Sequence, residues 1–279
     1  MKNNIVRNKL SKKITSLSLD KIELKRLLDI LQLRANTVCE IECRKIETIT
    51  NPENIEKAKE DLRSCAPLRI SVTGDESEEL FGTIDEVFAS PSFPEKVKTV
   101  YLNSNLSYDS LFKYYPENSF QILIDFSKPK IFDFSFQPSD KTPNDSQFDV
   151  EGSDNTWVNG VFHEIDSFIK NKSSKFSTVH RASIYDLILW IFGIPFGFWV
   201  CHKSSNNIKA LFSEHIFLQN ALFFYIFLGS LLILRILFHY FRWIFPMIEY
   251  QNKKELSLAH QAAFYTISLA LIGSFFTTS

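Results

Sequence analysis

The sequence predicts an α+β protein that ends in a membrane region. Three observations carry this prediction: a helical apolar stripe near the start, alternating apolar residues in the middle, and three long apolar stretches in the last third. We expect a helical lead at 1–66 and a cytosolic α+β domain at 67–172. A linker at 173–184 and a transmembrane region at 185–279 are expected to follow.

The helical lead is predicted to form a hairpin of two helices. Asp20 and Glu23 have capping-box spacing, and the apolar residues that follow recur every three or four positions. These residues are Leu24, Leu27, Leu28, Leu31, Ala35 and Val38. Asn51 and Pro52 are typical of a second helix start, and we expect that helix to end near Ala66.

The middle of the chain predicts a largely antiparallel five-stranded sheet covered by a helix. Apolar and polar residues alternate there, as on strands with one buried and one wet face. The predicted strands are Leu68–Thr73, Val97–Leu102, Phe120–Phe126, Phe132–Phe136 and Phe148–Val150. An apolar stripe over Trp157–Ile169 predicts the covering helix. The acidic segment Asp75–Glu86 is expected to hold a short helix between the first two strands.

Three apolar stretches predict a C-terminal bundle of three transmembrane helices. A hydrocarbon core about 30 Å thick requires roughly 20 apolar helical residues. The stretches predict spans near 185–202, 216–236 and 258–276. The first is short and has Gly193, Pro195 and Gly197 at its centre, so we expect a kinked span there. A re-entrant hairpin that returns to the cytosol is the alternative.

Charge around these stretches predicts a multi-pass protein of the cell membrane with its soluble domain in the cytosol. Seven basic residues flank the spans on the predicted cytosolic side and two lie outside, as the positive-inside rule prefers. The seven are Lys170, Lys172, Lys175, Arg181, Arg242, Lys253 and Lys254, and the two are Lys203 and Lys209. The first 20 residues lack the apolar core of a signal peptide. The C-terminus is expected outside.

Ionisable residues near the spans form the candidate membrane site. Asp186 begins the first span and Arg235 ends the second, so antiparallel neighbours would bring them to the same depth. We expect an Asp186–Arg235 pair, or a polar cluster that includes His239 or His260. Intramembrane charges are functional candidates, but both residues are also placed to extend toward the interface, and that interpretation is favoured.

Catalytic motifs are absent from the sequence, including P-loop, dinucleotide-binding, zincin and nucleophile-elbow patterns. His163 and Asp166 lie one helical turn apart, but no third ligand is evident, so a solvated face is favoured over a metal or base site. Cys39 and Cys43 are interpreted as buried thiols. No catalytic, cofactor-binding or metal-binding residue is predicted, and no cofactor.

Two charged segments could bind small ions or lipid phosphate. The acidic turn lacks the spacing of a calcium loop, so an exposed turn is favoured; its residues are Asp75, Glu76, Glu78 and Glu79. His180 and the basic N-terminal arm could contact lipid phosphates. A solvated tail is the alternative for the arm, which contains Lys2, Arg7, Lys9, Lys12 and Lys13. The net charge of −1 argues against a nucleic-acid partner.

A cytosolic domain followed by a few C-terminal spans resembles, in layout alone, membrane effectors of bacterial defence systems. The resemblance covers no motif, and it implies an oligomeric protein that acts on the membrane. The expected partners are the lipid bilayer, further copies of the chain, and a cytosolic protein or small ligand. The function expected is a non-enzymatic binding module coupled to the bundle. A membrane-bound enzyme and a channel or transporter subunit are the alternatives.

Overall fold

The chain folds into two compact units. The structure is a computed structural model, and it describes residues 6–49, 55–132, 142–174, 177–180, 182–252 and 258–266. Unit 1 comprises Met1–Ser127, Asn144–Ser174 and Ile248–Glu255. Unit 2 comprises Lys128–Pro143, Lys175–Met247 and Leu256–Ser279.

Unit 1 is built around a six-stranded antiparallel sheet, which confirms the α+β class. Its strand order is β1-β7-β6-β5-β3-β4. The strands are β1 (Asn8–Lys13), β3 (Arg69–Gly74), β4 (Glu79–Thr83), β5 (Val97–Asn103), β6 (Ser119–Asp125) and β7 (Gln147–Gly152). Alternation buries one face, with Phe120, Ile122 and Ile124 at 2 % exposure or less.

Four of the five predicted strands are confirmed as β3, β5, β6 and β7. The fifth, Phe132–Phe136, lies outside the described residues apart from Phe132, which is not in a strand. Two further strands of this sheet were not predicted. The basic arm contains β1, which pairs with β7, and the acidic segment contains β4, which pairs with β3.

The helix predicted within Asp75–Glu86 is wrong for most of that segment. The chain turns at Ser77, whose φ of 67° is left-handed, and returns as β4. A helix, α3 (Ile84–Ala89), starts only after this strand. Thr83 caps it, and the Glu86 side chain accepts from the Thr83 backbone N–H to complete a capping box. The acidic residues therefore serve a hairpin and a helix start.

Among the described residues, five helices belong to unit 1. They are α1 (Lys21–Ile49), α2 (Ile55–Cys65), α3, α4 (Leu106–Phe112) and α5 (Asn155–Asn171). The predicted hairpin of α1 and α2 and the predicted covering helix α5 are confirmed. The apolar stripe of α1 is buried, with Leu24, Leu27, Leu28 and Leu31 fully inaccessible. The cover is larger than predicted, because α5 packs on β1 and β7 while α3 packs on β3 and β4.

A short parallel ladder closes unit 1. It pairs β2 (Leu17–Leu19) with β8 (Ile248–Tyr250), a strand from near the end of the chain. Gln251 fixes this pair, since its backbone N–H donates to the Leu19 carbonyl at 2.7 Å and its side chain donates to Ser18 at 2.8 Å. The chain thus leaves unit 1 after residue 174 and re-enters it at residue 248.

Unit 2 contains two helices that are long and apolar enough to cross a membrane, by length and composition. The first is continuous over Ile184–Leu211 and has 28 residues, with a peak mean hydropathy of 1.8; the second, Ile216–Ile244, has 29 residues and reaches 2.3. The elements are a 3-10 turn (Ser177–His180), α6 (Ala182–Ile188), a π-helical segment (Leu189–Gly193), α7 (Ile194–Leu211) and α8 (Ile216–Ile244).

The described residues hold two candidate membrane helices, where three were predicted. Of the third predicted span, residues 258–266 are helical and 267–276 lie outside the described residues. The first helix runs nine residues beyond the predicted end at 202. The predicted linker 173–184 contains the 3-10 turn and the start of α6.

The helices α7 and α8 pair in antiparallel fashion and leave most of their surface uncovered. The Phe198 and Phe227 ring centroids are 5.0 Å apart, and the Cys201 thiol lies 3.4 Å from the Phe223 carbonyl. In the most apolar 18-residue window of each candidate membrane helix, Ile184–Leu211 and Ile216–Ile244, only 17 % of the residues are buried. The large side chains more than half exposed include Trp190, Phe192, Phe198, Trp199, Phe217, Phe224 and Tyr225.

Candidate functional site

The glycines of the first apolar helix lie at its contact with α8. A Cβ added at Gly193 would come within 2.7 Å of Leu234 Cδ2, and one at Gly197 within 2.8 Å of the Phe227 ring. The two glycines are four residues apart, the spacing with which small residues let membrane helices approach closely. Pro195 follows the π-helical segment, near the start of α7. Close helix packing therefore accounts for both glycines, where the sequence suggested a kink.

The predicted polar cluster is only partly assembled. His260 lies against α8, where its Nδ1 is 2.7 Å from the Tyr240 hydroxyl and its ring meets Trp243 edge-on. The Arg235 guanidinium is 6.0 Å from the ring of Tyr185. His239 is buried beside the Phe238 ring. The pairing of Asp186, the neighbour of Tyr185, with Arg235 stays a prediction.

A buried polar group that the sequence did not indicate lies at the end of α8. His180 is 3 % exposed, and its Nε2 donates to the Phe245 carbonyl at 2.7 Å. Its Nδ1 is 2.8 Å from the Thr142 hydroxyl, so a neutral ring satisfies both contacts. Burial lowers the pKa of His180, and nearby Arg242 adds to this. The predicted contact of His180 with lipid phosphate is therefore wrong.

Arg242 accompanies His180 in this group. Its side chain is 1 % exposed, and its Nε donates to the Val179 carbonyl at 3.2 Å. The guanidinium lies 4.5 Å from the centroid of the Phe238 ring, a cation–π distance. Val179 precedes the first candidate membrane helix, whereas Phe238 and Arg242 lie in the last two turns of the second. These contacts join the turn that precedes the first helix to the end of the second helix within unit 2.

The solvated face predicted for His163 and Asp166 is confirmed for His163, which is exposed, and is wrong for Asp166, which is 6 % exposed. Lys12 and Lys170 hold its carboxylate at 2.5 and 2.9 Å. Burial acts to raise the pKa of Asp166, but the bonds from the two lysines outweigh it and keep that pKa below its ordinary value. The described residues contain no group of three His, Cys, Asp or Glu able to hold a metal ion.

The predicted buried thiols are found in a small cluster between α1, α2 and α4. Cys39, Cys43 and Cys65 lie there with Leu62 and Tyr108. Burial raises the pKa of Cys39 to about 11, and it raises the pKa of Cys65 as well. Both thiols are therefore protonated at neutral pH, which makes them poor nucleophiles.

The basic arm and the acidic turn both have structural roles. The arm is strand β1, and Arg7 and Lys9 lie 3.5 Å from the carboxylates of Glu151 and Asp149. A solvated tail does not describe these residues, and contact of the arm with lipid phosphates stays a prediction. Lys2 lies outside the described residues. The acidic turn joins β3 to β4, and Asp75 is 4.0 Å from Lys96.

The open face of the sheet in unit 1 carries a polar pocket of about 220 Å³. The face is open to polar side chains because the strands alternate, so that Gln121 and Asp149 point away from the buried Phe120 and Phe148. The residues lining the pocket are Lys9, Asn103, Asn105, Ser119, Phe120, Gln121, Asp149 and Glu151. They come from β1, β5, β6, β7 and the loop that precedes α4.

Asp149 is the most buried charge of this pocket. It is 4 % exposed, and its Oδ2 accepts from Gln121 at 2.6 Å. Burial acts to raise the pKa of Asp149, but the nearby Ser11 hydroxyl, the hydrogen bond from Gln121 and the charge of Lys9 bring that pKa below its ordinary value. Asp149 is therefore ionised at neutral pH. Its Oδ1 accepts no hydrogen bond from any described residue, and neither does Oδ1 of Asn105.

The sequence shows the polar residues of this pocket, but it does not show which of them are neighbours. Gln121 of β6 and Asp149 of β7 are polar residues between apolar buried ones, and cross-strand register brings Asn103, Gln121 and Asp149 side by side. The register joins residues far apart in the chain, so local alternation could not supply it. No protein-family model, curated protein or solved structure matches this chain.

Proposed function

We propose that the chain is an integral membrane protein in which the α7/α8 pair anchors unit 1, a cytosolic binding module. The observation that carries the proposal is the exposure of large apolar side chains along both helices, where 17 % of each apolar window is buried. A core helix of a soluble protein would be mostly buried. Large apolar surfaces of this kind are favourable only against lipid or another apolar partner.

Length supports a spanning hairpin. At 1.5 Å per residue the two helices extend about 42 Å, enough for a hydrocarbon core of about 30 Å. Because α7 and α8 are antiparallel, both ends of the hairpin reach the same side of the membrane. Unit 1 is continuous with both ends, at residues 174 and 248. Seven basic residues flank those ends and two lie near the connection between the helices, which supports a cytosolic location for unit 1.

Membrane fractionation with cysteine labelling tests this proposal. We expect the protein to remain in the membrane pellet after an alkaline carbonate wash. Exposed Ser213 lies between the helices and exposed Ser92 lies in unit 1. A membrane-impermeant maleimide should label Ser213→Cys in intact cells and Ser92→Cys only after permeabilisation. The unsubstituted protein gives the background, since three of its four cysteines are buried.

Two outcomes contradict the proposal that the α7/α8 pair spans the membrane. Extraction of the protein into the carbonate supernatant would show that it does not span the bilayer. Labelling of Ser213→Cys only after permeabilisation would favour the re-entrant alternative. A reporter fused after Ser279 locates the C-terminus, which we expect outside. A cytosolic reporter would remove the third span and leave the hairpin intact.

The proposal extends to self-association and an effector role. The exposed aromatic residues of α7 and α8 can pack against lipid or against further copies of the chain, and α8 continues within four residues into β8 of unit 1. A change of unit 1 on binding can thereby reach the hairpin through the backbone. The resemblance in layout to membrane effectors of bacterial defence supports the same role.

Mass measurement and vesicle leakage test this extension. Light scattering of the detergent-solubilised chain should give a multiple of its 32.4 kDa mass. Vesicles that hold the protein should release a trapped dye once its surface density permits assembly. A monomeric mass, together with dye retained at every density, would contradict the effector role while leaving the membrane anchor unaffected.

A further inference from the structure

Two residues that line the polar pocket on the open face of unit 1 each have a buried acceptor oxygen without a hydrogen-bond donor in the described part of the chain. Oδ1 of Asp149 and Oδ1 of Asn105 receive no hydrogen bond from the described residues, and both residues line the pocket. Asp149 is a carboxylate at 4 % exposure, so its free oxygen is an unusual vacancy in a folded domain. Buried acceptors without donors are costly, and a donor-bearing ligand removes that cost.

Lys9 provides a weak and replaceable partner for this carboxylate. Its Nζ is 3.5 Å from Asp149 Oδ2, longer than the roughly 2.7–2.9 Å of a charge-assisted hydrogen bond. The Lys9 side chain is 52 % exposed, so it can turn into solvent at little cost. By contrast, Gln121 binds the same oxygen at 2.6 Å. A ligand cation can therefore displace Lys9 without disturbing the rest of the site.

We infer that this pocket binds a small primary amine, whose ammonium group replaces that of Lys9 opposite Asp149. An ammonium has three donors and no acceptor, which matches a site rich in acceptor oxygens. Asp149 and Asn105 each have one such oxygen, buried while Lys9 is in place, and the ammonium reaches these oxygens after the Lys9 side chain has moved aside. Glu151 adds a second carboxylate to the lining. The volume of about 220 Å³ is below that of drug-sized sites and limits the ligand to a small molecule. The inference rests on the proposed binding role of unit 1.

Calorimetric titration of the detergent-solubilised full chain tests this assignment. The probes are putrescine and agmatine, and 1,4-butanediol is the uncharged control of matched length. We expect both amines to bind and the diol not to bind. Asp149→Asn keeps the shape of the side chain and removes its charge, so amine affinity should fall about tenfold or more. Asp85→Asn, on an exposed carboxylate of α3 with 89 % side-chain exposure, should leave the affinity unchanged.

A second variant gives an effect of opposite sign. Lys9→Met removes the internal competitor and keeps the length of the side chain, so we expect amine affinity to rise several-fold. Lys13→Met, on the same strand and outside the pocket lining, is the matched control and should have no effect. The Lys9→Met measurement also tests the inference if Asp149→Asn does not fold.

Three results would overturn the inference. The first is the absence of amine binding up to about 10 mM, which corresponds to a binding free energy weaker than about −3 kcal/mol. The second is equal binding of the diol, and the third is an amine affinity that neither Asp149→Asn nor Lys9→Met changes. These results are independent of the membrane assays. A carbonate-resistant protein that binds no amine loses this ligand assignment only, and an extractable protein that binds amines loses the anchor only.

Discussion

Unit 1 and the α7/α8 pair use the same apolar residues in opposite ways. In unit 1 the leucines of α1 point inward, and Leu28 is fully inaccessible. In α8, Leu237 is 56 % exposed, while Ser230 at the helix contact is 4 % exposed. The sheet domain therefore follows the rule for proteins in water. The helical pair has small residues inside and large apolar ones outside, as expected where the surroundings are lipid.

The two regions also differ in how they treat charge. Unit 1 satisfies its buried carboxylate Asp166 with two lysines that reach the surface. The buried polar group of unit 2 surrounds His180 and Arg242 with backbone carbonyls and aromatic rings. A pair of charges that reaches water is easily formed in a soluble domain, whereas carbonyl and ring contacts are available where water is scarce. The comparison thus predicts a different response to the same substitution in each region.

Truncation of a leucine should produce the largest difference between the regions. Leu28→Ala removes buried methyl groups and leaves a cavity, so we expect a loss of about 2–5 kcal/mol in the free energy of unfolding. Leu237→Ala removes a side chain that already faces outward, and its cost should be below about 1 kcal/mol. Chemical unfolding in detergent, followed by circular dichroism, measures both. Equal losses would show that α8 is packed like a soluble core helix.

Substitution of two exposed isoleucines by lysine distinguishes a side chain that faces water from one that faces lipid. Ile22 on α1 is 78 % exposed and Ile233 on α8 is 56 % exposed. Ile233→Lys places a charge in the apolar helix and should cost about 2.5–3.5 kcal/mol of insertion free energy. Ile22→Lys should stay within about 0.5 kcal/mol, because water already surrounds that position. The measurement is the membrane-inserted fraction in a glycosylation-mapping assay for Ile233→Lys, with thermal unfolding for Ile22→Lys. Normal insertion of Ile233→Lys would contradict a lipid-facing position.

Two glycines of the hairpin should respond in opposite directions to alanine. Gly197→Ala places a methyl group 2.8 Å from the Phe227 ring, so we expect a destabilisation of about 1–3 kcal/mol from overpacking. Gly229 has no atom within 4 Å of an added Cβ, and Gly229→Ala should gain up to about 1 kcal/mol from helix propensity. Thermal unfolding in detergent compares the two variants. A neutral Gly197→Ala would show that the helices are not in close contact there.

The elements that the sequence predicts well are those whose signal is local. The alternation of Phe120, Ile122 and Ile124 indicates β6 without reference to any partner strand. The leucine stripe of α1 is equally local. Strand β1 was missed because Lys9 and Lys12 resemble a solvated tail, and edge strands often carry such charges. Only the pairing with β7 identifies it as a strand.

The candidate sites were harder to predict because they join distant residues. His180 is buried through contacts with Thr142 and Phe245, which lie 38 and 65 positions away. Gly193 and Gly197 could serve a kink or a close helix contact, since both uses require a missing side chain; their four-residue spacing was the available signal. The Asp149 pocket depends on the register of four strands. A local pattern can indicate such a residue, as the glycine spacing does, but it does not identify the distant partner.

The smallest expected effect concerns the buried carboxylate of unit 1 and its dependence on pH. Two lysines hold the pKa of Asp166 below its ordinary value despite burial, so folding favours the ionised form. The stabilisation is present above the unfolded-state pKa of about 3.9 and is lost as the pH falls through the folded-state pKa. Asp166→Asn should cost about 1 kcal/mol at pH 7, because the freed lysines can turn to water. Unfolding curves between pH 7 and about pH 3 should show the gap between the two proteins closing as Asp166 takes up a proton. A gap that stays constant over this range would mean that the shape of the side chain, rather than its charge, secures β1 against α5.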